Sequence, residues 1–186
     1  MDALTLLHER SSMGKLIGPA PSVAQLDTLY RAALRAPDHK ELTPWRFIEF
    51  SGEGLSRLGE LFAEADYRDD PYIGDDNLDA ARKKPFRAPM VIAVIARVTP
   101  ELPKVPPVEQ IISAGCAAHS ILLAAYAQEL GAMWRSGRYA FNDTVRKGLG
   151  LDEHDEIVGF VYLGQPGGRH KPLPERDPAD YLERWN

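Results

Sequence analysis

Cysteine is almost missing: Cys116 is the only one in 186 residues. A disulfide within the chain is therefore impossible, and so is a zinc site built on cysteines. A basic surplus is missing too. The formal net charge is −5, which removes the electrostatic footprint that nucleic acid and anionic membrane surfaces attract. The opening MDALTLLHER has no long apolar run and does not read as a secretory leader. The longest apolar stretch, Ile111 to Leu130, is interrupted by Ser113, His119, Ser120, Gln128 and Glu129. A membrane span is expected to be cleaner. By elimination, the expected location is cytoplasmic.

The common chemical signatures are absent as well. No strand runs into G-x-G-x-x-G, and there is no P-loop, nucleophile elbow, H-E-x-x-H or paired Cys-x-x-Cys. The histidines, at positions 8, 39, 119, 154 and 170, show no pair with ligand spacing, so no metal site is expected. A bound cofactor is then the natural source of chemistry, with the protein holding and tuning it.

What is present is a globular composition, 44% apolar and 26% charged, without internal repeats. The length suits one domain, or a subunit that shares its core with a partner. A first helix is expected from Ala3 to Arg10, capped by Asp2. A loop follows, from Ser11 to Pro21. Ser22 and Gln25 form a capping box that opens a second helix, which Pro37 ends. Trp45 to Phe50 reads as a strand, Gly54 to Ala65 as a helix, and Asp66 to Asp79 as an acidic, mobile segment. The β-branched run Pro89 to Val98 reads as a central strand buried on both faces. Ser113 to Leu130 reads as an interior helix, with Gly131 as its stop. Ala132 to Arg135 and Ile157 to Leu163 read as strands, and Asn142 as the cap of a helix through Leu149. The proline-bearing tail, Gly164 to Asn186, has no core of its own and is expected to wrap over something. About four strands with five or six helices imply an α+β sheet covered by helices.

Three segments are candidates for ligand contact. Arg10-Ser11-Ser12 offers a cation and two hydroxyls to a phosphate or polyol. On residue types alone it reads first as an ordinary helix C-terminus. Arg35-Ala36-Pro37-Asp38-His39-Lys40, with Pro44-Trp45 beyond, is a stiff loop carrying Arg35 and His39 as donors; a surface turn is an equal reading. Trp134-Arg135-Ser136-Gly137 ends a strand, and Gly137 permits close backbone approach. A core tryptophan beside a solvated arginine is the plainer alternative. Cys116 is expected to be packed rather than reactive, and His119 to be a hydrogen-bonded interior residue.

Taken in order, these segments resemble the nitroreductase family. The similarity is greatest to its compact bacterial NAD(P)H nitroreductases. It is carried by MDALTLLHERSS, RAALRAPDHK with PWRF, KKPFRAPMVIAV, SAGCAA, GAMWRSG and VGFVYLGQP. It covers nearly the whole chain and is weakest from Leu55 to Ala81. The resemblance implies an α+β fold, a mixed central sheet covered by helices, and an intertwined homodimer with two FMN molecules at its interface. It implies FMN contacts from Arg10, Ser11, Ser12, Trp134, Arg135 and Ser136 of one subunit, and from Arg35 and His39 of the other. The chain departs from the pattern at Ser11, where many members have a second basic residue. It departs again at Glu41 and Thr43, where many have Asn and Gln.

The activity implied is that of an FMN-dependent NAD(P)H oxidoreductase. Electrons would pass from NADH or NADPH, through flavin, to a small nitroaromatic or quinone-like acceptor. The flavin carries the chemistry, so no side-chain acid or base is required. A cation near flavin N1 and O2 favours its reduced form, and Arg10, Arg35 and Lys15 are candidates. The alternatives are an FMN-storing module with little turnover, or another flavin reaction on the same fold.

Overall fold

The computed structural model describes residues 1–169 and 171–185. His170, one of the five histidines, and Asn186, the end of the tail, lie outside the described residues. Helix α1 (Ala3–Glu9) is capped by Asp2, whose carboxylate accepts the N–H groups of Leu4 and Thr5 at 3.0 and 3.1 Å. Helix α2 (Val23–Ala33) opens on the expected reciprocal box. Gln25 N–H donates to Ser22 Oγ at 3.3 Å, and Ser22 N–H donates to Gln25 Oε1 at 2.9 Å.

The sheet has five strands: β1 (Leu16–Ile17), β2 (Trp45–Ser51), β3 (Met90–Ala96), β4 (Gly131–Arg135) and β5 (Glu156–Pro166). β2 pairs with β3, β3 with β5, and β5 also with β4 and β1. Each of these pairings is antiparallel, so among the described residues the sheet is not the mixed one expected. β1 lies inside the stretch read as a loop; two residues are too few to show periodicity. β3 is buried along its whole length, as a central strand should be. Its side chains alternate between two apolar layers. Val91 and Ala93 join Phe62, Phe160 and Tyr162, whereas Ile92 and Val94 join Leu29, Ile121 and Leu163.

The acidic stretch from Asp66 to Asp79 is not the loose segment expected. Helix α3 (Glu53–Asp69) runs on into its start, and helix α4 (Asp75–Lys83) takes up its end after a short break. Asp66 falls on the buried face of α3. There it is held by the Arg138 guanidinium and by the Tyr139 hydroxyl, which donates at 2.9 Å. A distant partner, invisible to local composition, turns an acid into an interior residue.

Helix α5 (Pro107–Ala127) starts nearly two turns earlier than expected, with proline in its first turn. It also ends earlier. Glu129 adopts a left-handed φ of 60°, and Gly131 is the first residue of β4 rather than the helix stop. A Cβ at Gly131 would meet Leu16 Cδ2 at 2.5 Å, so close strand packing explains this glycine. By length and composition α5 is apolar enough to cross a membrane. Its Ala114, Ala117, Ala118, Ile121 and Ala125 are instead fully buried within the domain. The opposite face carries exposed Val108 and Ile112. His119 is exposed there as well, not interior, while Cys116 is half-buried and packed beside the core. Helix α6 (Asp143–Gly148) is capped by Asn142 as expected. The start of the tail is not free: Gly164 to Pro166 continue β5 and pair with β4 and β1, whereas residues 171–185 are exposed throughout.

Candidate functional site

A backbone bond joins the chain just beyond the first candidate segment to the strand that leads into the third. Arg10 closes α1, and three residues later Met13 N–H donates to Ala132 O of β4 at 2.9 Å. This bond ties the residue after Ser12 to the strand that leads into Trp134 and Arg135. Gly14 continues the contact, at ordinary packing distance from the end of Met133. Arg10, Ser11, Ser12, Trp134 and Arg135 are half-buried, and Ser136 is exposed. Among the described residues, neither Arg10 nor Arg135 has a carboxylate partner. A guanidinium group next in sequence to serine hydroxyls suits a phosphorylated polyol.

β4 sends its side chains to opposite faces. Trp134 points to the α5 layer. Its indole N–H donates to Val158 O at 3.3 Å, and its ring reaches Gly115. This is the packed tryptophan of the plainer reading, and it makes the strand end rigid. Arg135 points the other way, with its guanidinium 5.8 Å from the centre of the Tyr162 ring. Gly137 has a φ of 59°, a conformation that favours glycine, and no atom lies within 4 Å of where its Cβ would be. Backbone there is open to an incoming group.

The second segment stands elsewhere in the chain. His39 Nδ1 lies 2.9 Å from Glu109 Oε2, at the first turn of α5. Lys40 Nζ donates to Pro103 O at 2.8 Å, and Asp38 accepts the Thr43 N–H at 2.5 Å. Lys40, Glu41 and Thr43 all hold positive φ, at 64°, 54° and 49°. Three such non-glycine residues so close together are strained backbone, which survives where the surroundings over-determine it and collects at functional sites. Arg35 is exposed and without a carboxylate partner among the described residues. Within one chain, the anchoring contacts of His39 go to α5, not to the Arg10 or Trp134 segments.

Sequence reasoning missed a pocket on the α3 face of the sheet, about 540 Å³ in volume. Lys84, Arg87, Arg135 and Arg138 stand around it, and Phe62, Tyr139, Phe160 and Tyr162 form its walls. Lys84 Nζ donates to Tyr139 Oη at 2.7 Å. Burial raises the Tyr162 pKa, an effect that Arg135 and Arg87 partly offset. The signal in sequence was only the basic KKPFR run and Arg138 after the Trp134 segment. Nothing local says that four cations from three elements converge.

The profile of the nitroreductase family matches residues 10–165. The chain is 45% identical over 168 residues to YdjA of Escherichia coli strain K12, an NAD(P)H nitroreductase by name, with 89% of each protein covered. Its fold superposes on a nitroreductase-like family protein from Bacillus cereus with a TM-score of 0.85 at 21% identity, covering 100% of this chain and 96% of that one. It superposes also on the FMN-dependent nitroreductase NfnB of Mycobacterium smegmatis in complex with NADPH. There the TM-score is 0.73 at 16% identity, covering 99% of this chain and 98% of the other. The α+β architecture, the matched profile and the full-length likeness agree, and the chain belongs to the nitroreductase family.

Proposed function

We propose that the chain is an FMN-dependent NAD(P)H oxidoreductase that works as a cytoplasmic homodimer, each subunit one FMN-binding domain over residues 1–186. The observation that carries this reading is the Met13–Ala132 bond. It ties the residue after Arg10–Ser12 to the strand that runs into Trp134–Ser136, and the family resemblance assigns both segments to one flavin. The donor set fits FMN. Arg10 supplies a cation for the phosphate, Ser11 and Ser12 supply hydroxyls for the ribityl chain, and Gly137 leaves room for a ring system. Similarity to YdjA, and to NfnB with its NADPH, supports the choice of electron donor.

When bound, FMN supplies the two-electron chemistry between donor and acceptor. The net change balances without a side-chain acid. NAD(P)H and a proton convert a quinone to a hydroquinone, or a nitro group to a nitroso group and water. The chain's residues position and polarise. Trp134 fixes the strand end, Arg135 and Ser136 orient the ligand edge, and Arg10 or Lys15 places positive charge nearby.

The dimer reading rests on surfaces that one chain leaves uncovered. Leu4 and Leu7 of α1 are 65% and 56% exposed, and Val108 and Ile112 of α5 are 57% and 58% exposed. A second copy is the natural cover for such a face. The exposed tail then has a surface to lie on. Arg35 and His39 would reach the flavin held by the other subunit's Arg10 segment. The direct test is release of the chromophore by heat and its identification by mass. FMN is expected; FAD, or no flavin, contradicts the reading.

A further inference from the structure

The cationic pocket on the α3 face shares Arg135 and Ser136 with the flavin reading but has further groups that it does not use. Its acid is already spent. Asp66, the carboxylate nearest the cluster, is held by Arg138 and Tyr139. Lys84 is engaged with the Tyr139 hydroxyl and sits 4.5 Å from the centre of that ring. Arg87 and Arg135 are left. Among the described residues neither has a carboxylate partner. The Arg135 guanidinium lies 5.8 Å from the centre of the Tyr162 ring, and Arg87 lines the same pocket. The Tyr162 hydroxyl has no hydrogen-bond partner among the described residues, although the residue is only 5% exposed. It remains protonated at neutral pH, because burial raises its pKa. The pocket therefore presents two free guanidinium groups and one phenolic donor.

The walls define the rest of the ligand. Phe62 and Tyr139 stack with ring centres 4.0 Å apart, and Phe160 meets Phe62 edge-on at 5.4 Å. Aromatic walls favour a flat ring over a polyol or a free inorganic ion. The volume, about 540 Å³, lies within the range of small-molecule sites. Fork-shaped guanidinium donors match a carboxylate.

We propose that this pocket anchors the carboxylate of an aromatic acid, through Arg87, Arg135 and the Tyr162 hydroxyl, and so makes nitroaromatic or quinoid acids the preferred acceptor class. The proposal rests on the flavin reading, since Arg135 and Ser136 border both the pocket and the proposed FMN site. It adds what that reading lacks: a reason to prefer an acid over its neutral analogue.

Calorimetry on the purified, oxidised protein tests it without turnover, using 4-nitrobenzoate against the neutral 4-nitrobenzamide. The acid is expected to bind on the order of tenfold tighter, as one charge-assisted contact implies. Arg87→Gln is expected to abolish most of that preference. Tyr162→Phe, which removes only a hydroxyl, is expected to reduce it about threefold and keeps the test alive if the arginine variant fails to fold. Equal affinities for acid and amide overturn the proposal. So does a preference that stays undiminished in either folded variant, or release of FMN as the acid binds, which would make the pocket part of the cofactor's site. A yellow protein without the preference sinks the pocket alone. A colourless protein that keeps an Arg87-dependent preference sinks the flavin reading alone.

Discussion

Gly159 shows how one residue fixes the site. It lies in β5 at a φ of 159°, and a Cβ there would fall 2.1 Å from the Trp134 indole nitrogen. The indole cannot yield easily, because it is pinned to Val158 O and packed against Gly115. Gly159→Ala should therefore destabilise the fold by about 1–3 kcal/mol, the usual cost of overpacking. A lowered midpoint in urea unfolding checks this; an unchanged midpoint would show that Trp134 is not locked. Arg10 gives a second prediction, on binding rather than stability. If it pairs with the FMN phosphate, Arg10→Ala should weaken FMN binding about tenfold to a hundredfold. Fluorescence titration of the flavin-free protein measures it, and unchanged affinity removes Arg10 from the site. Both residues stand in motifs legible in sequence, yet their reasons differ. Arg10 was readable as a cation beside hydroxyls. Gly159 was not, because its constraint comes from a tryptophan on another strand.

Among the elements, those with local signatures were the easiest to read. The Ser22–Gln25 box is present with both of its bonds. Ser22→Ala should cost about 1 kcal/mol, seen as a lower thermal midpoint, and no change would mean that α2 is held by packing alone. β3 was legible for the same reason, since an unbroken β-branched run has few other homes. Elements defined by distant contacts were not. α3 continues through Asp66 because Arg138, far along the chain, pairs with that acid. The end of α5 was misplaced because Gly131 looks like a helix stop, whereas its small size serves packing against Leu16. Part of the candidate site shares this limit. The sequence shows Arg10–Ser12 and Trp134–Ser136 as separate segments, and the Met13–Ala132 bond that links the chain beside them is not legible there. The strained loop from Lys40 to Thr43 was legible as stiff from its prolines, but not as a place of positive φ.

For the whole molecule, the single chain leaves two things incomplete: an apolar face on α1 and α5, and a tail without cover. A second copy would cover both, and in the proposed dimer the flavin site is shared. Two variants, Arg10→Ala and Arg35→Ala, damage the two sides of that site. Mixed dimers made by joint unfolding and refolding would contain one intact site and one doubly damaged site. Up to about half of their sites should then work. Verified mixed dimers without recovered activity would contradict the shared site. The central claim, that this is a flavin enzyme and not a flavin store, is tested most directly by the absorbance spectrum of the anaerobic protein as NADH or NADPH is added. The account predicts a yellow protein whose flavin band bleaches at a rate that supports turnover, and recovers when a quinone is supplied. A flavin band that persists in excess NADH and NADPH would contradict it.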